Sequence, residues 1–116
     1  MRMYRGLSSG DLAAALKTFA DDAVWVQPGD SPVSGEHRGH IALAGMVGPL
    51  LERGLRIDPI EVWQVEPDRV IVLSRVALAG ESADEIDIVT IRNEQIVHIQ
   101  HIGDTQMLAR AFAAKD

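Results

Sequence analysis

From Arg56 onward the chain carries runs rich in valine and isoleucine at 57–65, 69–79, 85–92 and 95–102. Branched side chains of this kind pack well on a pleated surface and resist helix, so each run reads as a strand. The breaks between them are Glu66-Pro67-Asp68, Gly80 to Ala83 and Asn93-Glu94. A parallel connection needs about a dozen residues or more, so strands joined by such short breaks must be antiparallel. A four-strand meander therefore occupies the second half of the chain.

The first half reads differently. Met1 to Leu7 looks like the end of a helix, and Ser8-Ser9-Gly10-Asp11 breaks it. Asp11 is a good N-cap for a second helix over 12–20, where Leu12, Leu16 and Phe19 recur at helical spacing. Residues 23–27 read as a strand, and the Pro- and Gly-rich segment 28–39 as a loop. Ile41, Leu43, Met46, Val47, Leu50 and Leu51 mark a third helix, in which Gly48-Pro49 predicts a kink or an early stop. Asp104 caps a final helix carrying Met107, Leu108, Ala111 and Phe112.

With 116 residues the chain fits one domain, and 47% hydrophobic residues are enough for a core. A net charge of -6 with scattered basic residues argues against nucleic acid, which needs a positive stripe to neutralise phosphates. There is no cysteine, so disulfides and thiolate chemistry are excluded together. No dinucleotide fingerprint, P-loop or Gly-x-Ser-x-Gly elbow is present, and no cofactor is expected. No apolar stretch reaches membrane length and the N-terminus has no apolar signal region, so a cytoplasmic location is expected. His37-x-x-His40, next to Glu36, resembles a ligand pair but lacks the four good ligands of a closed site. His98 and His101, three apart on a strand, point to opposite faces. No metal is expected.

Three segments carry a family resemblance: 7–12 (Leu-Ser-Ser-Gly-Asp-Leu), 19–25 (Phe-Ala-Asp-Asp-Ala-Val-Trp) and 28–39, from Pro28 to Gly39. Together with the meander they resemble SnoaL-like, ketosteroid-isomerase-like members of the nuclear transport factor 2-like superfamily. The resemblance covers nearly the whole chain and departs where the first helix is short. It implies an α+β domain over residues 1–116: a curved antiparallel sheet wrapped around N-terminal helices, a cone-shaped barrel with an internal apolar pocket. The superfamily hosts cyclases, isomerases, dehydratases, epoxide hydrolases and non-catalytic binders, so fold does not fix function.

On the last strand Val97, Ile99 and His101 share a mostly apolar face that should point inward. An imidazole among apolar neighbours is either a core histidine bonded to a carbonyl or an acid–base group. Asp87 lies within an apolar run, and the turn after it decides its face. A two-residue turn at Asn93-Glu94 sets Asp87 opposite Gln100, away from His101. A three-residue turn including Arg92 sets it opposite Ile99, on the face of His101. Both remain open in the sequence. The resemblance to polyketide cyclases implies that Asp87 and His101 form a catalytic pair if the parity is favourable. It also implies that Gln27 stands where steroid isomerases carry a base Asp, and that Tyr4, Trp25, Met46 and Trp63 line the pocket, with Ile99 beside His101. Taken alone, each of Tyr4, Trp25, Met46 and Trp63 fits an ordinary core better than a pocket wall.

The run 70–78 is apolar on both faces, which predicts that the outer sheet face packs on a second copy of the chain. Arg75, within it, would pair with a carboxylate at that interface or reach the pocket. Two readings of function follow. One is a cofactor-free cyclase, isomerase or dehydratase acting on a small apolar, polyketide- or steroid-like molecule. The other is a non-catalytic binding or dimerisation module. Epoxide hydrolysis is a weaker third, since its Asp-Arg-Asp set has no clear counterpart.

Overall fold

The computed structural model describes residues 2–113. The elements run α1 (Arg2–Ser8), α2 (Leu12–Leu16), β1 (Phe19–Gln27), β2 (Gly35–Arg38), α3 (Gly39–Glu52), β3 (Arg56–Glu66), β4 (Arg69–Leu78), β5 (Glu81–Arg92), β6 (Gln95–Ile102) and α4 (Thr105–Ala113). The four-strand meander is present as expected. Asp11 caps α2 by accepting from the backbone N–H of Ala14 at 3.0 Å, and Asp104 accepts from those of Gln106 and Met107.

Three local expectations are corrected. The second helix stops at Leu16 because Phe19 enters the sheet beside Ile96 and is buried there. Thr18 turns its hydroxyl back onto the carbonyl of Ala15, closing the helix end. The segment read as a loop contributes β2, which pairs antiparallel with the end of β1. Helix α3 does not stop at its proline, and runs through Pro49 to Glu52.

The sheet itself departs from the expected barrel. Its six strands lie in the order β2-β1-β6-β5-β4-β3, and β1 pairs with β6 in parallel. It is thus a mixed, open sheet rather than an antiparallel one wrapped into a cone. Closure would require the edges to meet. Instead β2 is a four-residue strand at one end, and β3 at the other leaves every residue but Ile57 exposed. The parallel pair arises because α3 carries the chain across between β2 and β3, so the meander returns beside β1 in the same direction.

One face of this sheet is covered. Met3, Tyr4 and Leu7 of α1 and Leu43, Met46, Val47 and Leu50 of α3 are buried with the inward residues Trp25, Val72, Val76, Val89 and Ile99. Gly6 lets α1 approach α2, since a side-chain carbon there would come within 2.8 Å of the Ala15 backbone nitrogen. The packing fixes α1 against the sheet and brings Tyr4 over β5.

Candidate functional site

The position of the site is set by an irregularity in the β5–β6 hairpin. Arg92 pairs with Gln95, so the turn has two residues, Asn93 and Glu94, both at positive φ. The register then shifts. Ile91 faces Ile96, but Thr90 faces His98, so Val97 is an extra residue in a bulge. Beyond it Asp87 lies directly opposite His101. Neither turn considered from the sequence gives this pairing. The inward residue before the bulge is Ile96 rather than Val97.

Asp87 and His101 are both buried, and the Nδ1 of His101 lies 2.5 Å from Oδ1 of Asp87. The other ring nitrogen, Nε2, lies 2.7 Å from Oε1 of Glu85, a residue only 6% exposed. Glu85 was missed in the sequence, although the signal was there. It stands two residues before Asp87, so on a strand both must point the same way. The chain closes around this set. The Tyr4 hydroxyl donates to Oδ2 of Asp87 at 2.6 Å, and the backbone N–H of Asp104 donates to Oε2 of Glu85 at 2.9 Å. The Trp25 ring stacks beside the imidazole, with centroids 6.3 Å apart. Ser74, opposite Glu85 in the ladder, buries a hydroxyl with no hydrogen-bond partner among the described residues.

An imidazole between two carboxylates satisfies both only when both nitrogens carry protons. Burial by itself lowers the pKa of His101. The hydrogen bonds and charges of Asp87 and Glu85 outweigh it and push the pKa up to about 9. For Tyr4, burial first and then the negative Asp87 push the phenol far above its usual range, so it stays a donor.

An apolar pocket opens at one side of this network, with about 570 Å³ of empty space when its mouth is included. Met46, Leu50, Leu55, Val76, Met107 and Leu108 form much of its wall. Trp25, Gln27, Glu85 and His101 bring the polarity. Gln27 has a defined orientation. The Trp25 indole N–H, which can only donate, reaches Oε1 of Gln27 at 2.9 Å, leaving the amide NH2 as the free end.

Of the residues singled out in the sequence, Trp25, Gln27, Met46 and His101 line the pocket. Tyr4 and Asp87 stand behind His101, as its support. Ile99 is fully buried in the core and is not part of the lining. Trp63 lies on edge strand β3 and is 43% exposed, away from the pocket. Arg75 does not reach the pocket; it pairs with Asp84 across the β4–β5 ladder on the exposed side. His37 and His40 turn their Nε2 atoms to the carbonyls of Val33 and Phe19. Among the described residues, no group of three or more His, Asp or Glu side chains is arranged to hold a metal ion.

Comparison with known proteins places these features in context. Residues 1–99 match the family model of the SnoaL-like domain. No curated protein matches the chain. Among solved structures, TerC co-crystallised with polyporic acid superposes with a TM-score of 0.83 at 22% identity, covering 97% of this chain and 93% of that one. An NTF2-like protein from Burkholderia xenovorans gives 0.73 at 28% identity, over 95% of this chain and 89% of that one. A putative polyketide cyclase from Sinorhizobium meliloti gives 0.71 at 24% identity, over 86% and 89%.

Proposed function

The chain belongs to the family of SnoaL-like domains, and from that premise we propose that it is a cofactor-free acid–base enzyme acting on a small apolar carbonyl compound. The observation that carries this is the buried His101, held between two carboxylates at the wall of an apolar pocket. The Asp87–His101–Glu85 network can take a proton from a carbon next to a carbonyl and return one, which is the common step of isomerases, cyclases and dehydratases. The free NH2 of Gln27 supplies a donor for the oxygen of the enolate formed. Gln27 thus acts as an oxyanion donor, where the steroid isomerases of the superfamily are understood to place a base. The similar structures, one crystallised with polyporic acid and one described as a putative polyketide cyclase, agree with a small-molecule pocket.

The test is the exchange of α-hydrogens of 2-tetralone, a neutral bicyclic ketone, for deuterium in D2O, followed by proton NMR. The protein is expected to accelerate exchange above buffer, and His101→Ala to lower the rate by roughly 10²–10⁴-fold with the fold retained. Binding without exchange would favour the non-catalytic reading. That reading draws on Gln27, which cannot take a proton, and on an imidazole with both nitrogens already engaged.

We further propose a homodimer through the outer sheet face. Across the ladders Trp63, Ile71, Ile88 and, one row on, Leu73, Ile86 and Ile102 stand side by side on that face. Trp63 and Ile102 are 43% and 50% exposed, which is unusual for such residues in one patch. Light scattering at micromolar concentration is expected to give twice the chain mass. A monomer would remove the proposal.

A further inference from the structure

The acid–base reading leaves open which atom of the network meets the ligand. His101 is the obvious choice from the sequence, yet its geometry is against it. Nδ1 is taken by Asp87 and Nε2 by Glu85, so neither nitrogen is free for a third partner. Asp87 is farther from the pocket, with its second oxygen occupied by Tyr4. Glu85 differs from both. A carboxylate has about four lone-pair positions, and Glu85 uses one on each oxygen, for His101 and for the N–H of Asp104. It also lines the pocket.

A second observation concerns Gly103, which lies in the pocket wall beside Glu85. A side-chain carbon on Gly103 would fall 2.4 Å from the carboxyl carbon of Glu85 and 2.6 and 2.7 Å from its oxygens. Gly103 is not at positive φ, so its backbone does not demand glycine. The missing side chain is instead the space that the carboxylate occupies.

Resting on that acid–base reading, we propose that Glu85 is the general base in direct contact with the ligand, and that Gly103 is the positioning residue that makes room for it. In the step, the α-carbon C–H bond breaks and its proton forms an O–H bond on Glu85. The electron pair left behind moves into the enolate, whose negative charge rests on the carbonyl oxygen. Glu85 trades that proton for one from solvent and delivers it to the same carbon, which restores the carboxylate and completes exchange. His101 keeps its own proton throughout and acts as a positioning residue, with Asp87 and Tyr4 holding it from behind.

The pH profile separates Glu85 from His101. The titratable groups around His101 are Glu85 and Asp87 on β5 and, through Asp87, Tyr4 on α1; Asp104 contributes only its backbone N–H. If His101 were the base, exchange would climb as it loses its proton near pH 9. With Glu85 as the base, no such climb is expected.

The experiment combines rates and contact. Glu85→Gln is expected to slow 2-tetralone exchange by roughly 10²–10⁴-fold while its binding changes only a few-fold. Gly103→Ala, which leaves Glu85 in the chain but displaces its carboxylate, is expected to lower exchange in the same direction. In the wild-type protein, carbon-13 NMR should show the Glu85 carboxyl resonance moving when 2-tetralone is added, and that of Asp87 staying in place. A wild-type rate that rises through about pH 9, or equal losses of binding and exchange in Glu85→Gln, would overturn the assignment. So would an unmoved Glu85 resonance on binding. If the wild type catalyses no exchange but the Glu85 resonance moves, the acid–base reading and the role of base fall together, while the contact between Glu85 and the ligand stands.

Discussion

Asp87→Ala is expected to lower the unfolding free energy by about 3–5 kcal/mol, the range for removing one partner of a buried ionic pair. The large value follows from what the substitution strands. Asp87 is 4% exposed and serves two buried donors at once, the His101 Nδ1–H and the Tyr4 hydroxyl. Without it His101 keeps one carboxylate, Glu85, and Tyr4 keeps none. A double-mutant cycle with Tyr4→Phe apportions the loss, since residues sharing one network typically couple by about 0.5–3 kcal/mol. Tyr4→Phe should destabilise the wild-type protein and be nearly neutral once Asp87 is gone. Urea unfolding of the four proteins is the measurement. Additive losses would show that the α1-to-β5 hydrogen bond contributes little.

Stability is expected to fall as pH rises from near neutral to alkaline, because of His101. Its folded pKa is raised from 6.5 to about 9. Between those values the folded protein holds a proton that the unfolded chain has lost, so each rise in pH favours unfolding. The contribution is complete below about pH 6.5 and is gone above about pH 9. At about 1.4 kcal/mol per pKa unit, a shift of this size amounts to about 3 kcal/mol. His101 is 9% exposed, so solvent screens it little. His101→Gln retains a polar side chain that does not titrate, and the difference in slope between the two proteins isolates the histidine. Denaturant midpoints measured across this window are the check, and parallel slopes would show that His101 is not held as an ion in the folded protein.

The same residues show how far the sequence could be read. The four β-branched runs specified the meander, because alternation and short breaks leave antiparallel pairing as the only solution. Asp11 and Asp104 announced their helices, since a cap is a local contact between a side chain and the next turn. The site was half legible. His101 stood out as an imidazole in an apolar strand, and Glu85 was readable from its parity with Asp87.

Other features had no local signature. The parity of Asp87 with His101 depended on the bulge at Val97, one extra residue in a run of ordinary strand formers. The open mixed sheet depended on which edge β1 chose, and nothing within residues 19–27 records that β6 will lie beside it. The family resemblance implied that Trp63 lines the pocket, but its place on an edge strand had no local signature. Local sequence therefore determined the four strands of the meander and where two of the helices begin, because those choices rest on backbone sterics and contacts a few residues long, but not β2 or the early end of α2. Tertiary structure alone decided that Tyr4, Glu85, Asp87 and His101 meet, because their contact is set by register and packing between segments up to 97 residues apart in the chain.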